Sequence, residues 1–301
     1  MLTQEIGTYL AARRAVGFDL TCTERHLQAF ARFAAARGDS HVRSVTAIAW
    51  AAQAVSPYQR SRRLKNVRLF ALYVRANDPR HEIPPGQVFG SPPTTGRLPH
   101  IFSSEDLKRI LLEAGRLGPA GSLRPHTYQT LFGLLASCGL RVSEALALRF
   151  DDVTADGLVI RKAKFRKSRL VPMHPSTGAA LEQYLVRRRR VLPHLDHIFV
   201  SYRCRPLDYT GAFLVFQAIL RKLGIRRCGY PGARLHDLRH TLAVRALEEC
   251  PASDVSSRAL ALSTYLGHSR IAHTYWYLHV TPQLMTGIAD ACQAQTNWGM
   301  P

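Results

Sequence analysis

Six prolines and three glycines fall between Asn77 and His100: Pro79, Pro84, Pro85, Pro92, Pro93 and Pro99, with Gly86, Gly90 and Gly96. A proline has no amide proton to give a helix, and it pushes the residue before it out of the helical region. With little to bury as well, residues 79–100 read as a linker. It separates residues 1–78 from residues 101–301, and a chain of 301 residues suits two domains.

The periodicity on both sides is mainly helical. In the first segment the pattern predicts helices over 3–16, 23–37, 45–54 and 57–76. Thr21 or Thr23 can cap the second, and Ser56-Pro57 opens the fourth with proline in its first turn. Leu64, Val67, Phe70 or Ala71, and Val74 form an apolar stripe on that fourth helix. In the second segment, Ser103 or Ser104 before Glu105 and Asp106 marks a helix start. An apolar helix over 127–137 stops at Gly139, and a short one covers 142–148. The period then changes to two, so that Gly157–Arg161 and Ser168–Pro172 read as strands joined by a basic connection. Helix returns over 176–192, 210–223, 236–249, 257–266 and 271–278. A terminal helix over 282–295 carries Leu284, Ile288 and Cys292 on one side, a stripe that must bury against something. The expected fold is mostly α with a small β-hairpin or sheet, a helical bundle followed by an α+β domain.

Charge narrows the function. Forty-one Lys and Arg stand against 21 Asp and Glu, a net +20, with a pI near 10.4. Such a surface calls for a polyanion, most simply double-stranded DNA. Both segments are basic, which suits a protein that grips a duplex from two sides. On the fourth helix, Arg60, Arg63, Lys65 and Arg68 are candidate phosphate contacts, because no acid occurs from Ser40 through Asn77. Arg187–Arg190 covers every face of a helical turn, so part of it must face solvent; Arg221, Lys222, Arg226 and Arg227 form a second acid-free group. No apolar run approaches the ~18 residues of a membrane span, and the N-terminus has no signal-peptide pattern. The six scattered cysteines contain no CxxC, which predicts reduced thiols, a cytoplasmic location and no zinc site.

Displacement at a DNA phosphate builds charge on the non-bridging oxygens. A metal pair can hold that charge, and so can two guanidinium groups. The adjacent Asp151 and Asp152 point apart and read as a turn, and no acid–histidine cluster resembles a two-metal site. That leaves Arg141, in Gly139-Leu140-Arg141-Val142-Ser143-Glu144, and Arg239, in Leu235-His236-Asp237-Leu238-Arg239-His240. His236 lies three residues before Arg239, on the same side of a helix. His240 reads as packing or support, and Glu144 as an orienting partner of an arginine or a surface acid. Downstream come Leu266-Gly267-His268 and Tyr277, with Tyr265 and Tyr275 as rival nucleophiles. The basic connection carries Lys162, Lys164 and Lys167 with Arg161, Arg166 and Arg169, and no acid lies between Gly157 and Leu181. Arg166, Lys167 and Arg169 are candidate phosphate contacts there.

This ordered set resembles the tyrosine site-specific recombinases, the phage-integrase family that includes the Xer type, over roughly residues 101–289. Gly139–Leu146 is similar to the family's first arginine box, and Lys164–Pro172 to its hairpin lysine box. Leu235–Thr241 and Leu266–Ser269 are similar to its later boxes, and Tyr277–Val280 to its nucleophile segment. The resemblance implies that Tyr277 attacks phosphorus and becomes joined to a DNA 3′-phosphate. It implies that Arg141 and Arg239 bind the non-bridging oxygens, that His236 and His268 serve the same centre, and that Lys164 protonates the leaving 5′-oxygen. It also selects Tyr277 over Tyr265 and Tyr275, and Lys164 over Lys162 and Lys167. No cofactor is implied, because the covalent bond stores the energy for rejoining. A homotetramer on DNA is implied, with the 282–295 helix docked on a neighbour and a partner recombinase as an option. The lysine box departs from the family in having Ala163 and Phe165 where glycines are usual. The stretch from Arg239 to Gly267 is longer than usual around Pro251-Ala252-Ser253, and reads as an extended surface loop. The alternatives are a type IB topoisomerase, which shares the chemistry, and a non-catalytic DNA-binding accessory protein.

Overall fold

The computed structural model describes residues 2–90, 98–161, 168–225, 232–251, 254–268 and 270–277. It divides into two compact units, Met1–Arg97 and Leu98–Pro301.

The first unit holds α1 (Leu2–Ala15), α2 (Thr21–Ala35), α3 (Ser44–Ala52) and α4 (Pro57–Arg75). Its core is built from Ile6, Leu10, Leu27, Phe30, Trp50, Leu64, Val67 and Phe70. The apolar stripe read on α4 is buried, and Ser56 caps that helix by accepting the Gln59 N–H. Neither threonine caps α2. Thr21 already lies in the helix, and the Asp19 carboxylate accepts both its N–H and its hydroxyl, at 3.1 and 2.7 Å. The beginning of the expected linker is fastened to this unit. Glu82 donates its N–H to Val42 O (2.8 Å) and accepts the Ser44 N–H (2.7 Å), while Arg68 Nη1 donates to Pro84 O (2.5 Å). The prolines end the helix without detaching the chain.

The second unit contains α5 (Ser104–Ala114), α6 (Arg124–Cys138) and α7 (Val142–Leu146). A three-stranded antiparallel sheet follows: β1 (Val153–Thr154), β2 (Gly157–Ile160) and β3 (Arg169–Val171), in that order. Then come α8 (Pro175–Val191), α9 (Tyr209–Lys222), α10 (Leu235–Glu248), α11 (Val255–Leu266) and α12 (Ala272–Tyr275). The fold is mostly helical with a small sheet. Ser103 and Asp106 close a reciprocal capping box on α5. Leu158 pairs with Val171 and Ile160 with Arg169 across β2 and β3, which sends Leu158, Ile160 and Val171 into the core. Two-residue β1 is too short to show a period. The main core gathers Phe102, Leu131, Phe132, Leu158, Phe199, Phe216 and Leu238. A second cluster joins Val244, Leu247, Ala259, Leu262 and Leu266 to Tyr277. Among the described residues no helix is long and apolar enough to cross a membrane.

The four-arginine run ends α8 with an inward anchor. Arg188 is fully buried and donates to the carbonyls of Leu192, Leu195 and His197. These are orphan acceptors of a helix end and the loop after it, so Arg188 serves the fold and the other three supply the charge.

Candidate active site

The site is assembled at the ends of helices. The Asp237 carboxylate, fully buried, accepts the Arg234 N–H (2.8 Å) and Arg234 Nη2 (2.9 Å), which fixes the first turn of α10. His236 therefore stands at the helix mouth, with Arg239 and His240 one turn further in. Arg239 is 2% exposed. It donates from Nη1 to Gly139 O (2.6 Å) and from Nη2 to Leu266 O (2.7 Å). Arg141 Nη2 donates to Gly267 O at 2.8 Å. Gly139 and Gly267 are the left-handed caps of α6 and α11, with φ of 59° and 65°, a conformation that favours glycine. Each clamp arginine is thus held by a helix-terminal carbonyl beside another part of the site. Arg239 reads the glycine two residues before Arg141, and Arg141 reads the glycine just before His268.

Glu144 completes the clamp. Its carboxylate accepts Arg141 N and Nη1 at 2.8 and 2.7 Å. It also accepts Arg169 Nη1 and Nη2 at 2.9 and 2.8 Å. Arg169 Nε donates to Tyr265 O (3.2 Å). Arg169, expected among the phosphate contacts, is therefore turned inward: its register opposite Ile160 on β3 brings it to a carboxylate that would otherwise be buried with one partner. The spacing from Arg141 to Glu144 was the only signal for this network. Burial pushes the Glu144 carboxyl up, but hydrogen bonds from Arg169 and Arg141 and the charge of Arg169 outweigh it and hold the pKa at about 2.

Tyr277 lies 2% exposed, with its hydroxyl 2.9 Å from His240 Nδ1 and its ring stacked on His268 at 6.3 Å between centroids. Burial raises the phenol's pKa, and the charge and hydrogen bond of Arg239, with the charge of Arg141, pull it back only in part. The Tyr277 phenol is neutral at rest. Tyr275 is exposed, and Tyr265 directs its hydroxyl to Pro172 O (3.4 Å), so the geometry brings Tyr277 to the two arginines. His268 donates or accepts at Nδ1 with Thr274 Oγ1 (2.7 Å). Its pKa falls to about 3, first through burial, then through Arg239 and Arg141. His236 keeps an open edge to solvent. Desolvation of the rest of its ring, followed by Arg239 and Arg234, lowers it to about 4. Burial lowers even Arg239, to about 10, which leaves it charged at neutral pH. The site is a cationic socket holding neutral imidazoles, suited to receive an anion.

The remaining expected residues fall elsewhere. Lys164, Arg166 and Lys167, with Lys162, lie outside the described residues, as does the 282–295 segment. On α4, Lys65 is exposed, while Arg60 Nε donates to Ala54 O (2.8 Å) and the Arg63 guanidinium lies 5.2 Å from the Trp50 ring centre. Asp152 caps the turn at 150–152 by accepting the Arg149 N–H (2.9 Å), so the Asp151-Asp152 pair is a turn. His41, Asp78 and His81 gather in the first unit. His81 Nδ1 accepts the Val42 N–H (3.1 Å), which leaves the ring proton on Nε2, facing Glu5 at 3.5 Å. With Nδ1 taken by the Val42 N–H, only Nε2 is left to face Glu5.

Residues 102–283 match the phage integrase family, and the chain belongs to that family. It is 41% identical over 295 residues, 94% of each chain, to the integrase/recombinase-type protein y4rB of Sinorhizobium fredii. It is 28% identical over 231 residues to the tyrosine recombinase XerD of Listeria innocua, covering 75% of this chain and 73% of that one. Its fold is similar to that of the XerH site-specific recombinase bound to a palindromic difH substrate (TM-score 0.66, 19% identity, 88% and 77% of the two chains). It is also similar to that of the Tn1549 transposon integrase in complex with transposon right-end DNA (TM-score 0.65, 15% identity, 92% and 94%). The protein is a tyrosine recombinase, an enzyme that cuts and rejoins DNA.

Proposed function

We propose that recombination proceeds through a covalent bond between Tyr277 and a DNA 3′-phosphate, without metal or ATP. The carrying observation is the convergence of Tyr277 with Arg239 and Arg141. Incoming phosphate oxygens exchange water for two fixed guanidinium groups, whose donors match their geometry. Tyr277 Oη attacks phosphorus, and the 5′-oxygen leaves with a proton from Lys164. The 5′-hydroxyl of the exchanged strand then attacks the phosphotyrosine, and the phenol departs. The aryl phosphate retains the energy of the broken bond, so rejoining needs no external source.

Similarity to the y4rB protein along nearly the whole chain, and to the fold of a transposon integrase, supports service to a mobile element rather than resolution of chromosome dimers. Exchange of two duplexes requires four strand cuts, hence four subunits, and a neighbour in fold is a lambda integrase tetramer bound to a Holliday junction (TM-score 0.62). The test is a covalent trap. In EDTA, wild-type protein is expected to form a detergent-resistant adduct whose attached peptide contains Tyr277, and Tyr277→Phe is expected to form none. An adduct on another side chain, or strand cleavage that stops when divalent ions are removed, overturns the reading.

A further inference from the structure

We propose that His240 is a catalytic residue that aims the Tyr277 phenol and takes its proton as the oxygen attacks phosphorus. The proposal rests on Tyr277 being the nucleophile. His240 Nδ1 lies 2.9 Å from the phenolic oxygen, within the reach required of a proton acceptor. Its position is not adventitious. It sits on the rigid first turns of α10, next to the clamp arginine, with its ring edge-on to His236 (4.6 Å between centroids) and against Trp276 (5.7 Å).

The direction of the hydrogen bond follows from the neighbours. Arg239 stands beside the phenol and its charge acts on it, and a guanidinium has no lone pair with which to accept a proton. The phenol's proton therefore cannot go to Arg239, and His240 Nδ1, 2.9 Å from the hydroxyl, is placed to accept it. His268 already commits its Nδ1 to Thr274 Oγ1. The charges around His240 are His236, Asp237, Arg234 and Arg239 on and beside α10, and Tyr277 across from it. Burial, then His236, lowers the imidazole to about 3, so it is neutral, and in its Nε2–H tautomer Nδ1 offers the phenol a lone pair.

A base this weak does not deprotonate a resting phenol. The transfer is coupled to bond making. As the phenolic oxygen gives its electron pair to phosphorus it becomes acidic, and the arriving phosphate's negative charge raises the imidazole's affinity for the proton. The O–H pair stays with the tyrosine oxygen and forms the bond to phosphorus. The proton moves to Nδ1, giving an imidazolium, and the P–O5′ pair leaves with the 5′-oxygen. On rejoining, the departing phenolate recovers the proton from His240, so the residue ends unchanged.

The test uses the full chain and a nicked suicide duplex recovered from a random-sequence pool by covalent trapping on the wild-type protein. His240→Ala and His240→Gln are compared with wild type for single-turnover cleavage across pH, with melting temperatures measured alongside. Removing the base is expected to slow cleavage about 10²-fold near neutrality. The deficit should narrow as the pH rises toward phenol ionisation, and added imidazole should recover part of the His240→Ala rate. Glutamine, which keeps a hydrogen-bond acceptor without basicity, should stay slow. Cleavage by His240→Gln at the wild-type rate, or a deficit equal at every pH and unmoved by imidazole, overturns the proposal while leaving the nucleophile assignment intact. Failure of the wild-type protein to form an adduct at Tyr277 defeats the parent reading instead.

Discussion

At the scale of single residues, Glu144 decides how the clamp is held. It binds Arg141 on one side and Arg169 on the other, so the guanidinium proposed to meet phosphate is oriented through a carboxylate shared with a second arginine. Arg169→Gln is expected to slow strand cleavage by roughly 10-fold to 100-fold through misplacement of Arg141. The slope of DNA affinity against salt should stay unchanged, because a phosphate-contacting arginine would remove about one unit of slope. A titration of affinity at several salt concentrations separates the two roles. The same carboxylate predicts an acid limb. Its pKa is depressed from 4.5 to about 2 in the folded protein, so its stabilisation is complete above about pH 4.5 and is lost as the pH falls toward 2. Thermal unfolding should show the melting-temperature gap between wild type and Glu144→Gln closing across that window. A gap that stays constant or widens would contradict the pairing.

At the scale of elements, helix termini do the positioning. Two helices end in left-handed glycines, and the carbonyls there receive the clamp arginines. A Cβ at Gly139 would meet Leu266 Cδ2 at 3.0 Å and Leu242 Cδ2 at 3.1 Å, and one at Gly267 would meet Arg169 Nη1 at 2.9 Å. Either alanine variant also places a side chain in a backbone region that costs roughly 1–2 kcal/mol. Gly139→Ala should lose about that much in denaturant unfolding. Gly267→Ala should lose a similar amount and also cleave more slowly than its stability loss explains, since it displaces both the Arg141 acceptor and the Arg169 side chain. Comparing unfolding free energies with single-turnover rates for the pair checks this. A Gly267→Ala cleavage rate no lower than its stability loss explains would mean that the α11 cap does not orient the clamp.

At the scale of the whole molecule, charge governs association. A net charge of +20 is enough to neutralise roughly 6–10 phosphates, for which affinity for duplex DNA should fall about 10³- to 10⁵-fold between about 50 and 200 mM salt. Filter binding or fluorescence anisotropy measures this directly, and a shallow dependence would leave the basic surfaces without a role in duplex binding. The sequence by itself determined a great deal. Helical periods and capping residues are local properties, so α4 and its apolar stripe, the start of α5 at Ser103 or Ser104 and the strands flanking the basic connection could be read directly. The candidate site could be proposed too, because Arg141, His236, Arg239, His268 and Tyr277 stand in motifs whose order survives without coordinates. What the sequence could not determine was which cations face inward. Arg169 and Arg188 look like any other member of a basic run. Only the register of β3 against β2, and the carbonyls left open where α8 ends, turn them into partners of Glu144 and of the backbone. His240 was hidden for the same reason: one position past Arg239 it reads as packing or support, and its approach to the Tyr277 hydroxyl, from a distant stretch of chain, exists only in the fold. Partners brought together from far apart in the chain leave no trace in local spacing, because burial, tautomer and charge are set by neighbours that exist only once the protein has folded.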